Sequence, residues 1–228
     1  IGPYERYLKK PSRVNLWRHT RAMVSIARLF RHIGRHDVAA DILERALPER
    51  WFDEKTLRGD EVYSPVYFEM GVQLLELGDP GNAAQYLEKA QEWDERSLER
   101  LFSLPAYRVR NYEKLGLARQ QSNLLKKAED AYQKAVATGL ASARTYYDLG
   151  TLQLLSQNGQ AAVENLEQAI RLAPDYAPAY ANLGFALIQT KQPLEAVAQC
   201  RKALELDPDL VPALNMLGSL MMQQENQD

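Results

Sequence analysis

AYANLGFALIQTKQPLEAVAQCRKALELDP, residues 179–208, decides the fold. Its landmarks recur at one fixed interval. Gly116, Gly150, Gly184 and Gly218 are spaced this way, as are Tyr112, Tyr146 and Tyr180, and Leu115, Leu149, Leu183 and Leu217. Ala128, Ala162 and Ala196 keep the interval, and so do Ala135, Ala169 and Ala203. Pro174 and Pro208 close two of the units. A period of this size is the signature of a solenoid, in which each unit buries its apolar face only by stacking on its neighbours.

Each unit reads as two helices. In YYDLGTLQLLSQNGQAAVENLEQAIRLAPDY, Tyr146, Leu149, Gly150 and Gln153 fall on one face of a first helix. Gly159 is assigned to the loop, and Ala162, Leu166 and Ala169 line the second helix. Glycine inside a helix costs about 1 kcal/mol against alanine. Its return at one position therefore needs a packing reason, a close crossing of the two helices.

Working outward, the pattern reaches back to about Thr20. Val14, Trp17, Met23, Ile26, Ala27, Phe30 and Ile33 predict a helix ending near Gly34. A second helix is expected from about Asp37 to Leu47. Tyr67, Met70 and Gly71 mark the next first helix, and Asp79-Pro80 caps and opens its partner. Two insertions separate these units from the regular ones. Residues 48–63 carry Trp51, Phe52 and Leu57 and are expected to pack back on the stack. Residues 94–108 are expected to hold a short extra helix ending before Pro105. The expected units are 20–53, 64–97, 109–142, 143–176 and 177–210, with a terminal helix at 211–224 and a lead-in at 1–19.

The matching Tyr, Leu-Gly, Ala, Ala and Pro positions resemble the tetratricopeptide repeat (TPR) family, strongly from residue 109 onward and loosely before 64. The resemblance implies an all-α, right-handed α-solenoid of about five helix-turn-helix units, a terminal helix and two insertions. It also implies a protein–protein interaction scaffold whose first helices line a concave peptide groove. Mapped onto this chain, that groove takes Tyr147, Thr151, Asn182, Phe185, Ile188, Gln189 and Asn215, with Asp148 beside them. One subtype grips a C-terminal carboxylate with Lys, Asn and Arg. The corresponding places here hold Tyr147, Thr151, Asn182, Pro212 and Met216, and only Asn182 agrees, so that subtype is not expected.

Charge and composition bound the rest. The chain has 228 residues and a formal net charge of −2. The balance alternates, +6 over residues 1–50, −7 over 51–100, +4 over 101–150 and −5 beyond. No polyanion track follows from that, and nucleic acid is not an expected partner. Arg21, Arg28 and Arg31 make a basic first helix suited to an acidic partner. His32, His36 and Asp37 have chelating spacing but straddle Gly34 at a helix end, so solvated side chains are expected there. Cys200 stands where other units carry a larger core residue, and is expected to be a buried small side chain.

No phosphate loop, nucleophile elbow or paired-carboxylate arrangement is present in the sequence, and no catalytic residue, cofactor or metal is expected. The expected partner is a protein or peptide, with self-association as a further option. No run of 18 apolar residues occurs, so no transmembrane segment is expected and the chain reads as soluble, cytoplasmic or periplasmic. The start without Met suggests a piece of something longer. The alternative reading is accordingly a regulatory or docking segment of a larger enzyme or membrane-associated assembly.

Overall fold

A computed structural model describes residues 16–47, 64–97 and 105–225. Among them lie eleven helices and no strand. In chain order these are α1 (Leu16–His32), α2 (His36–Ala46), α3 (Ser64–Glu76), α4 (Pro80–Ser97), α5 (Pro105–Gln121), α6 (Leu125–Ala137), α7 (Ala143–Leu155), α8 (Gly159–Leu172), α9 (Ala177–Gln189), α10 (Pro193–Leu206) and α11 (Val211–Glu225). Helices that follow one another pack together: α1 on α2, α3 on α4, α7 on α8, α9 on α10. The result is the sequential pairing that the repeat register requires.

The turn inside each pair has one construction. After α9, the Gln192 N–H donates to Leu187 O at 2.8 Å and the Lys191 N–H to Ile188 O at 3.0 Å. Those two bonds cap the orphan carbonyls of the helix and need a left-handed residue between them. The same pair of bonds recurs around Gly34, Gly78, Asn123 and Gln157. All five residues have positive φ, from 59° at Asn123 to 79° at Gly78. Asp79 then caps α4 through Oδ1, which accepts the Asn82 N–H at 3.1 Å.

In the inserted segment 94–108, the short extra helix expected before Pro105 falls largely on residues 98–104, outside the described residues. Residues 94–97 continue α4, and Pro105 opens α5. Proline suits this place because the first turn of a helix leaves its N–H unused. Gly159 is not in a loop but is the first residue of α8, where a Cβ would lie 2.9 Å from Gln189 Cβ. The expected packing of residues 48–63 lies outside the described residues.

Two compact units divide the chain at residue 131, within α6. In the first, Met23, Ala27, Ile42, Leu43, Phe68, Leu87 and Leu115 form the core. In the second, Ala162, Leu166, Leu183, Leu187, Cys200 and Met216 do so. Glycines set the helix crossings in both. A Cβ at Gly71 would come within 2.5 Å of Leu87 Cγ, and one at Gly150 within 2.8 Å of Leu166 Cγ. In the earliest pair Ala27 takes the glycine's place and is buried with Ala39, Leu43 and Ala46.

Candidate functional site

Within the second unit, the first helices α7, α9 and α11 neighbour one another. Six of the seven residues expected to face a groove stand on the α7 and α9 part of this row. Asn182 on α9 donates from Nδ2 to Thr151 Oγ1 on α7 at 2.8 Å. Thr151 in turn donates to the Tyr147 carbonyl at 2.8 Å, one turn back on its own helix. Gln189 bridges the same two helices through Nε2, which donates to Leu154 O at 3.1 Å. Phe185 and Ile188 are 40% and 38% exposed. Both are large apolar side chains offered to solvent beside an amide, which is the mixture a main-chain ligand uses. Asn215, on α11, is exposed.

Tyr147 is held in place from two sides. Its ring meets Tyr176 edge-on at 5.0 Å between centroids. The Arg144 guanidinium lies 5.7 Å from its centroid. Arg144 also donates through Nε to both carboxylate oxygens of Asp148 at 2.9 Å. That hydrogen bond, with the opposite charge, pushes the Arg144 pKa up. Burial pushes the Tyr176 phenol up as well. Asp148 is nearly buried and its carboxylate is occupied by Arg144, so it does not join the exposed groove set as the sequence suggests. Arg144 and Tyr176 escape a repeat-based reading because neither belongs to the recurring landmarks. The one available signal is the Arg144/Asp148 spacing of four on a helix.

The first unit holds a different arrangement. Glu69, whose side chain is 2% exposed, sits in the apolar run of α3. Arg28 and Arg31, three residues apart on α1, both reach it. Arg28 Nε donates to Glu69 Oε1 at 2.7 Å and Arg31 donates through a terminal nitrogen to Oε2 at 2.8 Å. The acidic group that these two arginines meet is therefore one of this chain's own. Arg21 is exposed. One turn on from Glu69, Gln73 is buried and its Nε2 lies 3.1 Å from His36 Nδ1. Arg28, Arg31, His36, Glu69, Glu76 and Arg110 line an open depression of about 920 Å³.

The histidine and cysteine readings meet the following geometry. His36 opens α2 and faces Gln73, while Asp37 is taken by Arg35 through paired bonds of 3.0 Å. That pairing lowers the Asp37 pKa to about 2. Cys200 is fully buried, its Sγ 3.2 Å from Met216 Sδ, and burial pushes its thiol pKa up.

Residues 64–97 match one tetratricopeptide repeat model, and residues 153–219 match another. Among solved structures, the chain is similar to MamA (TM-score 0.64, 24% identity, 83% of this chain and 92% of that one). MamA from Desulfovibrio magneticus RS-1, residue 41 to the end, aligns with TM-score 0.64 at 19% identity over 84% and 96% of the two chains. YrrB, described as a TPR protein with an unusual peptide-binding site, aligns with TM-score 0.66 at 18% identity over 85% and 89%. At these identities the likeness is one of fold. No match was found among curated proteins. No helix among the described residues is long and apolar enough to cross a membrane.

Proposed function

Because the chain belongs to the tetratricopeptide repeat family, we propose that it is a non-enzymatic scaffold that binds a peptide or partner protein on the first helices of its second unit. The observation that carries this reading is the Tyr147–Thr151–Asn182 chain of hydrogen bonds with Phe185 and Ile188 exposed beside it. The hydrogen bonds hold Asn182 in one orientation, so it need not be ordered when the ligand arrives. Preorganisation of this kind removes part of the entropic cost of binding. The exposed rings and aliphatic groups supply area to cover, and Asn182 supplies polar recognition of a main chain.

An acidic ligand on α1 is the weaker option. Arg28 and Arg31 already neutralise Glu69, and drawing them outward would strand a buried carboxylate.

The test begins with partners captured by the intact chain. Titration of such a partner into Asn182→Ala and Phe185→Ala is expected to show affinity reduced by about tenfold each, on the order of 1.4 kcal/mol, with helicity unchanged. Unchanged affinity in both variants would remove the site from this surface.

A further inference from the structure

The Thr151 hydroxyl fixes which way Asn182 faces. It carries one hydrogen, and that hydrogen is spent on the Tyr147 carbonyl at 2.8 Å. Toward Asn182 it therefore acts only as an acceptor, and it takes the Nδ2 N–H at 2.8 Å. The amide nitrogen is thereby turned to α7. The other end of the amide, Oδ1, reaches solvent, and among the described residues nothing donates to it.

Around this acceptor the surface is apolar and without net charge. Helix α9, APAYANLGFALIQ, has no charged residue. Helix α7 has two, Arg144 and Asp148, and they pair with each other, Arg144 Nε lying 2.9 Å from both carboxylate oxygens. Phe185 and Ile188 are exposed on the helix that carries Asn182. Leu155, which follows the Leu154 carbonyl that Gln189 meets, is 64% exposed. Helix α9 already has a first helix on either side, α7 before it and α11 after it. A further unit of the stack would pack on α11, so it would not cover Phe185 and Ile188.

Possible ligands differ in what they leave unpaired on this strip. A charged group set against Phe185 and Ile188 is desolvated with no counter-ion, since Arg144 and Asp148 neutralise each other. A helix covers the strip with side chains while its own N–H groups are spent inside it, so Asn182 Oδ1 loses water and gains no partner. An extended chain has main-chain N–H groups to spare. It satisfies the acceptor and lays apolar side chains on the rings and aliphatic groups beside it. We propose that the ligand of this strip is an extended segment, uncharged where it touches α7 and α9, with one main-chain N–H donated to Asn182 Oδ1. This names the ligand chemistry of the surface proposed above and rests on that reading.

Random linear peptides displayed on phage and selected against the whole chain supply the probes. The expected winners are apolar and carry no Asp, Glu, Lys or Arg at the positions whose substitution matters. They lose about tenfold in affinity against Phe185→Ala, with circular dichroism unchanged. Their affinity for the unaltered chain should change by less than about twofold between about 0.01 M and 0.15 M salt, as binding without ion pairs requires. N-methylation of one backbone nitrogen should cost a selected peptide about tenfold. That loss should disappear against Asn182→Ala, because the acceptor is gone. Phe185-dependent peptides that are acidic or basic and weaken with salt overturn the proposal and leave the surface standing. So do Phe185-dependent peptides that bind as helices, with N-methyl losses equal against both forms of the chain. A library that yields no binder also overturns it. Selected peptides indifferent to Phe185→Ala and Ile188→Ala remove the surface as well.

Discussion

Lys191 occupies the left-handed region at φ 63°, where the equivalent residues of the first two turns are Gly34 and Gly78. A side chain in that conformation costs about 1–2 kcal/mol, and glycine relieves most of it. Lys191→Gly is therefore expected to raise stability by about 0.5–1 kcal/mol, seen as a higher urea midpoint. Gly184 behaves oppositely, because Cys200 Sγ and Met216 Sδ would stand 2.9 and 3.1 Å from a new Cβ. Gly184→Leu should cost on the order of 1–3 kcal/mol by overpacking the crossing. An unchanged melting temperature would contradict the close approach. The glycine spacing makes this crossing legible in the sequence. The turn role of Gln157 and Lys191 is not legible there, since neither residue type announces a positive φ.

The elements show why sequence pattern falls short at Glu69. The run SPVYFEMGVQLLE reads as an apolar first helix, and a carboxylate within it has no local partner. Its partners come from α1, well upstream in the chain, which reads by itself as a basic face suited to an acidic partner. Only the packing of α1 beside α3 brings the two together. A buried carboxylate deprived of both arginines is strongly disfavoured. The double variant Arg28→Met, Arg31→Met should lose about 3–5 kcal/mol. Adding Glu69→Leu to it should recover most of that loss, because an all-apolar contact of similar volume avoids desolvating a charge. Urea unfolding of the double and triple variants measures both effects. A triple variant no more stable than the double would mean that the triad does not act as one group. In the second unit, by contrast, the placement of Tyr147, Thr151, Asn182, Phe185, Ile188 and Gln189 on α7 and α9 is legible, because repeat positions map directly onto helices. The fixing of Tyr147 by Arg144 and Tyr176 is not, since it depends on the turn between α8 and α9.

For the whole molecule, one period carries the architecture. Helix pairing, crossing positions and the family all follow from landmarks that recur at a single interval. The pairing of the regular units is legible from it. The boundary around residues 94–108 is not, because Pro105 serves equally as a helix stop or as a first-turn residue, and the sequence alone does not choose between them. Fold similarity to MamA and YrrB supports the helical-repeat fold alone, so the proposed binding surface rests on the exposed side chains of α7 and α9. The direct test is site-specific photocrosslinking to a captured partner from positions on opposite sides of the second unit. Crosslinkers replacing Phe185 or Ile188 should trap the partner, while those replacing Leu172 or Leu194, exposed on α8 and α10, should not. Crosslinks from Leu172 and Leu194, with none from Phe185 and Ile188, would contradict the account.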